Sequence, residues 1–265
     1  MINLKKGKYF KRKFETEEVI EEISLKTKML AIWGSPSSGK STLSMKIAKN
    51  LISQNKNVCI VFCDMTAPMM PCTALENEFE FKSSIGSILS ANNITDNLIK
   101  KNLTMLKKSS YLALIGLLEG ENEYTYPEST EEQIMIFYEK LKNIFEYVIV
   151  DCTSYISNNM LSIVALKMAD NILRISNQDT KSISYFVSQD SLFKNTNIIE
   201  EKPLKVLNNY SNGIVQEIFA NSDFKFLNCD EIKQQFNERT LLKGLNSKNG
   251  LIFNKEIERL CRRLF

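Results

Sequence analysis

Met29-Leu30-Ala31-Ile32-Trp33-Gly34-Ser35-Pro36-Ser37-Ser38-Gly39-Lys40-Ser41 is the stretch on which the reading of this chain turns. Its first five residues form a continuous apolar run, as expected of a strand covered on both faces. The next eight match G-x-x-x-x-G-K-[ST] without a gap. Leu43, Ile47, Ala48, Leu51 and Ile52 then recur at helical spacing. A strand, a glycine-bounded loop and a helix in that order make a cradle for phosphate. The glycines let the backbone wrap closely round phosphate oxygens, successive N–H groups turn inward, and the helix adds its positive end. Lys40 is placed to reach the terminal phosphates, and Ser41 to ligate magnesium. The sequence therefore predicts a nucleoside triphosphate with Mg²⁺, held by Gly34, Ser35, Pro36, Ser37, Ser38, Gly39, Lys40, Ser41 and Thr42.

Working outward, four more apolar runs stand at Val58 to Cys63, Tyr147 to Val150, Ile172 to Ile175 and Leu204 to Leu207, separated by longer segments with helical periodicity. Continuous runs alternating with helices predict an α/β fold: a single-domain P-loop NTPase with a mostly parallel twisted sheet and helices on both faces. Ligands in such sheets bind beyond the carboxyl ends of the strands. Asp64, Asp151 and Asn208 each follow a run, which places them on the same edge as the loop. A carboxylate after four apolar strand residues is what Mg²⁺ coordination requires, so Asp151 is a metal candidate beside Ser41. Asp64 and Asn208 have an open alternative as helix caps or turn residues. Pro68 and Pro71 read as a break after the second run, and residues 119 to 130 as a polar loop before a helix at 131 to 145.

The 265 residues, 43% hydrophobic, suit one large domain. Residues 1–26 read as an N-terminal basic leader and lead-in helix, and 27–265 as the P-loop domain. Lys5, Lys6, Lys8, Lys11, Arg12 and Lys13 make the leader either a solvated arm or a contact for acidic lipid or nucleic acid. A net charge of +3 neither demands nucleic acid nor excludes it. The six cysteines show no CxxC pair, which predicts buried, reduced thiols in a reducing cytosol. Histidine is absent, so any hydrolysis relies on carboxylates, lysine, amides and a bound cation. No apolar run approaches the ~18 residues that span a bilayer, and the N-terminus lacks the apolar core of a secretory signal. The expectation is a cytoplasmic protein. At the C-terminus Ile257, Leu260, Cys261, Leu264 and Phe265 form a helical stripe, with Lys255, Arg259, Arg262 and Arg263 on other faces. The stripe is expected to pack on the sheet; the alternative is contact with an acidic membrane.

The order of these parts resembles the ParA/MinD-type partition and positioning ATPases, and within them the TadZ/CpaE-like proteins of pilus-assembly loci. The resemblance spans roughly residues 27 to 265. It rests on the loop at 34 to 42, on Asp64 in Val61-Phe62-Cys63-Asp64-Met65-Thr66-Ala67-Pro68 and on Tyr147-Val148-Ile149-Val150-Asp151-Cys152-Thr153. Ala169-Asp170-Asn171-Ile172-Leu173-Arg174 and Val206-Leu207-Asn208 add to it. The likeness implies catalytic roles for Lys40, Asp64 and Asp151. Asp64 would belong to the switch that aligns the attacking water and would join Ser41 and Asp151 at the metal. Asp151 would hold Mg²⁺, and Asn208 would read the adenine edge. It also implies a nucleotide-dependent homodimer, a protein partner in an assembly machine and peripheral contact with the inner face of the membrane. DNA ranks behind these, because Arg239, Lys243, Arg259, Arg262 and Arg263 make only a modest basic patch. ATP is expected over GTP, since the guanine-reading N-K-x-D has no clean copy; Asn177-Gln178-Asp179-Thr180 is the nearest. The arginine-rich lid of small-molecule kinases is missing as well, with no Arg between Arg12 and Arg174. One departure bears on rate. The family lysine after the first loop glycine, which reaches across a nucleotide-sandwiched dimer, is Ser35 here. Weak hydrolysis is the expectation, with a non-hydrolysing nucleotide-binding scaffold as the alternative.

Overall fold

The five apolar runs become five parallel strands. The computed structural model describes residues 28–75, 77–79, 83–196, 203–211 and 221–265, without the side chains of 190–192 and 194–196. The expected basic leader at 1–26 lies outside the described residues. Strands β1 (Met29–Gly34), β2 (Val58–Phe62), β5 (Tyr147–Asp151), β6 (Asn171–Asn177) and β7 (Leu204–Tyr210) coincide with the runs. Three short strands, β3 (Thr104–Met105), β4 (Leu112–Ile115) and β8 (Phe224–Leu227), complete an eight-stranded sheet in the order β3-β4-β2-β5-β1-β6-β7-β8. Only the β3–β4 pair is antiparallel; the others run parallel. The connection leaving β1 leads to β2 on one side, whereas that leaving β5 leads to β6 on the other. The crevice between β1 and β5 is therefore the switch point at which such sheets bind ligands.

Both sheet faces are covered, which is why the strands read as continuous apolar runs. Along β1, Leu30 and Ile32 point into a core shared with Leu43 and Ile47 of α1 (Lys40–Ile52) and with Phe253, Ile257 and Leu260 of α9 (Lys248–Leu264). Met29, Ala31 and Trp33 point the other way. They meet Phe137 and Tyr138 of α5 (Glu131–Ile144), Val164 of α6 (Met160–Met168) and Phe186 of α7 (Thr180–Thr196). The C-terminal stripe packs in the first of these cores: Ile257, Leu260, Cys261 and Leu264 are buried, and the Phe265 ring lies 4.8 Å from that of Tyr147. The structure thus shows the core-packing outcome for that helix.

Local chemistry sets the remaining boundaries. Thr130 and Gln133 form a reciprocal capping box that starts α5 after the polar loop, as the sequence predicts. Pro71, expected to break the chain, instead sits in the first turn of α2 (Met70–Thr73), where its missing N–H costs nothing. Short helices α3 (Ile85–Leu89) and α4 (Asp96–Lys101) follow, capped by Ser84 and Thr95. Helix α8 (Asp230–Asn237) precedes α9. All six thiols are free, five of them buried and Cys72 half-buried. Among the described residues, no helix is long and apolar enough to cross a membrane.

Candidate nucleotide site

The loop between β1 and α1 is shaped by close contacts that only particular residues allow. A Cβ on Gly34 would lie 2.1 Å from the Ile175 carbonyl oxygen of neighbouring β6, so no side chain fits there. Gly39 caps α1 in the left-handed region at φ 88°, and a Cβ on it would come within 2.3 Å of the Asn208 amide nitrogen. Ser37 is left-handed as well, at φ 59°. Two asparagines from adjacent strands hold the loop from below. Asn177 Nδ2 donates to the Ser37 carbonyl at 3.1 Å, and Asn208 Nδ2 donates to that of Ser38 at 2.8 Å.

Behind this loop lies a cleft of about 850 Å³. The structure brings Pro36, Ser37, Ser38, Gly39, Lys40, Ser41 and Thr42 to its wall, together with Asp64, Asp151 and Asn208. Gly34 and Ser35, expected among the nucleotide contacts, are not on that wall. Gly34 is pressed against β6, and Ser35 is buried with its hydroxyl 2.8 Å from that of Ser182 on α7. Its backbone is engaged inside the fold too: its N–H donates to the Ile175 carbonyl at 3.1 Å, and its carbonyl accepts from Ser38 N at 3.3 Å. Both residues support the cradle from within. Asn208 lies inside β7 rather than after it, and its amide gives one N–H to the loop.

At the phosphate end three side chains converge. Ser41 donates its hydroxyl to Asp151 Oδ2 at 2.5 Å. Lys40 Nζ donates to Ser154 Oγ at 2.6 Å and to the Ser35 carbonyl at 3.2 Å. Burial lowers the Lys40 ammonium below its ordinary range, against the opposing pull of Asp151 and Asp64. Burial likewise pushes the Asp151 carboxyl up to about 6, although the Ser41 hydrogen bond and Lys40 draw it down. Asp64 lines the cleft in an Asx turn, its Oδ1 accepting from Thr66 N at 3.0 Å and Ala67 N at 2.9 Å. The turn reading of Asp64 therefore holds, and the residue also lines the cleft.

These residues fit a magnesium ion. Among the described residues, Asp151 Oδ1 is a buried acceptor without a hydrogen-bond partner, a costly arrangement for a carboxylate unless something else completes it. An oxygen-seeking dication bound beside Ser41 would do so, directly or through its waters.

The opposite end of the cleft escaped the sequence reading. Leu227 and Cys229 at the end of β8, Ile232, Lys233, Phe236 and Asn237 of α8, and Phe253 of α9 line it with mostly apolar surface, flanked by Asn208 and Asn209. This is the composition of a pocket for a flat heterocycle. No motif announces it, because shape and hydrophobicity are all it requires.

A family model described as an AAA domain matches residues 34–206, more than half of the chain. Comparison with curated proteins gives no match. Among solved structures, the chain is similar to the ParA family ATPase from Chlorobium tepidum TLS, with a TM-score of 0.71 at 15% identity over 89% of this chain and 99% of that one. It is similar to a chain of the MinC:MinD cell division protein complex of Aquifex aeolicus (TM-score 0.69, 17% identity, 89% and 95% covered). The septum site-determining protein MinD complexed with Mg-ADP from Pyrococcus horikoshii OT3 is a third (TM-score 0.67, 14% identity, 88% and 96% covered). At these identities the likeness is one of fold, and the fold is that of the ParA/MinD P-loop NTPases.

Proposed function

The chain belongs to the AAA-domain family, and from that premise we propose that it is a ParA/MinD-like ATPase that binds ATP with Mg²⁺ and hydrolyses it slowly. The observation that carries this reading is the convergence of Lys40, Ser41 and Asp151 beneath the loop, with one Asp151 oxygen unpaired. In it the Pro36–Thr42 backbone cradles the polyphosphate. Lys40 exchanges Ser154 for phosphate oxygen. Ser41 and Asp151 would hold the cation, and Asp64, on the same cleft wall, would help align the attacking water. The cation, when bound, neutralises charge developing on the phosphates. The apolar end between Leu227 and Phe253 takes the base. There the Asn208 side chain, on the cleft wall, would read the adenine edge.

Slow turnover follows from Ser35. Its hydroxyl is buried against Ser182, so neither its length nor its direction lets it deliver charge to a second copy's nucleotide. The biological reading is a nucleotide-controlled positioning or assembly factor, with residues 27–265 as the working domain. It would dimerise on nucleotide and serve a pilus or secretion machine at the inner face of the membrane, in the manner of TadZ/CpaE. The MinC:MinD complex is a precedent for a protein partner on this fold. DNA is a poorer partner: Arg259 in the C-terminal basic group is already paired with Glu256 at 2.6 Å.

Single-turnover hydrolysis measured with light scattering on the same samples tests the proposal. A slow but Mg²⁺-dependent rate with a nucleotide-dependent doubling of mass is expected. Retained nucleotide with no turnover and no change in mass would instead establish the non-hydrolysing scaffold.

A further inference from the structure

Lys40 is tied to helix α7 by a chain of hydrogen bonds that the phosphate site does not need for its own shape. The Trp33 indole N–H donates to the Tyr185 hydroxyl at 2.8 Å. That hydroxyl donates to the Ser154 carbonyl at 2.7 Å. The Ser154 side chain in turn accepts from Lys40 Nζ at 2.6 Å. Trp33 is the penultimate residue of the strand that enters the loop, Ser154 lies three residues after Asp151, and Tyr185 is the only member contributed by α7. The same helix touches the loop a second time through Ser182 and Ser35. The Trp33 ring is also wedged against α7, with its centroid 6.1 Å from Tyr185, 5.5 Å from Phe186 and 4.5 Å from Phe193.

We propose that Tyr185 is a positioning residue. It holds the segment 152–155 so that the Ser154 hydroxyl competes with phosphate for Lys40, and arrival of a triphosphate is transmitted through Ser154 and Tyr185 to Trp33 and α7. The proposal rests on the nucleotide reading above. The physics is a competition for one ammonium group. Phosphate oxygens in the loop make stronger, charge-assisted bonds to Lys40 than a neutral hydroxyl does. When Lys40 turns to them, Ser154 loses its partner, and the only other hydrogen bond described for that residue runs to Tyr185. Removing the Ser154 hydroxyl therefore frees Lys40 in advance and tightens triphosphate binding. Removing the Tyr185 hydroxyl cuts the path to Trp33 without touching the cleft wall, since Tyr185 does not line it.

Trp33 is the only tryptophan in the sequence, so the protein's tryptophan emission comes from the end of this path, and the Tyr185→Phe variant separates the path from Trp33's other contacts. The test titrates Mg-ATP, Mg-tripolyphosphate and adenosine into the full chain and into the Tyr185→Phe and Ser154→Ala variants. Trp33 fluorescence and calorimetric heat are followed together. In the wild type, Mg-ATP and tripolyphosphate shift the emission over the same concentrations that release heat. Adenosine, which offers no phosphate, leaves the emission unchanged. Tyr185→Phe keeps its affinity for Mg-ATP within roughly threefold but shows no nucleotide-dependent shift. Ser154→Ala binds Mg-ATP tighter by roughly three- to tenfold, the worth of one exchanged hydrogen bond. A Tyr185→Phe variant whose emission still responds like the wild type overturns the relay, as does a Ser154→Ala variant of unaltered affinity. Heat without any emission change in the wild type overturns the relay and leaves the nucleotide reading standing. Absence of heat with every phosphate compound removes both.

Discussion

The two ends of the cleft are built by different rules. At the phosphate end a contiguous run, Pro36 to Thr42, meets Asp151 across one strand spacing, and nearly every position is constrained by backbone geometry or by charge. Gly34 cannot carry a Cβ, Gly39 is left-handed, and Ser41 and Lys40 are each committed to named partners. At the base end, Leu227, Ile232, Phe236 and Phe253 come from three separate elements and need only be apolar and well placed. An end fixed by stereochemistry and charge is intolerant of change, whereas an end fixed by shape should yield gradually. The difference can be broken or sharpened by substitution.

The largest effect is expected at Lys40. Lys40→Ala removes the ammonium from the phosphates and should weaken Mg-ATP by roughly a hundredfold, about 3 kcal/mol. Tripolyphosphate should lose a similar factor, because the lost contact belongs to the phosphates. Calorimetry on both ligands measures this directly. Next, Gly39→Ala forces a side chain into a left-handed position and against the Asn208 amide. A loss of about 2 kcal/mol in unfolding free energy is expected, together with impaired binding; denaturant melts would check it.

Asp151→Asn should separate function from stability. The carboxyl titrates near 3.8 in the unfolded chain and near 6 when buried, so its ionisation opposes folding. Its contribution to stability, full below pH ~4, is lost as the pH rises to about 6 and stays lost above that. The neutral amide should therefore stabilise the ligand-free protein at pH 7 by about 1–3 kcal/mol, while abolishing the Mg²⁺ dependence of ATP binding. Thermal melts from pH 4 to 8, paired with titrations with and without Mg²⁺, expose both signs; a variant that melts lower than the wild type at pH 7 contradicts the burial argument. The smallest effect belongs to the base end. Phe236→Ala should cost about 1–2 kcal/mol in ATP affinity and nothing in tripolyphosphate affinity. Equal losses for both ligands would erase the distinction between the two ends.

The same contrast governs what could be read from the sequence. Strands β1, β2, β5, β6 and β7 were legible because burial on both faces makes them continuous apolar runs. The loop was legible because phosphate binding demands glycines and a lysine at fixed spacing. Strand β8 was not: Phe224-Lys225-Phe226-Leu227 alternates buried and exposed positions over only four residues at a sheet edge. Strand β4 is equally short, and the two residues of β3 carry no pattern at all. Gly34 and Ser35 lie off the cleft wall for a physical reason. A motif fixes which residues occur in a loop, but not which of them face the ligand, and here the packing of β6 and α7 turns these two inward. Asn208 was placed on the correct edge, yet its bond to the Ser38 carbonyl depends on β7 lying two strands from β1, which no local pattern encodes.

The proposed function depends on a polyphosphate being clasped by the Pro36–Thr42 backbone, Lys40 and a cation at Ser41 and Asp151. Calorimetric titration of Mg-ATP into the full chain, repeated after chelation of Mg²⁺, tests that clasp most directly. Saturable heat with one nucleotide per chain, sharply weakened by chelation, is the predicted result. A folded protein that releases no heat with Mg-ATP, or binds it equally well without the metal, would contradict it.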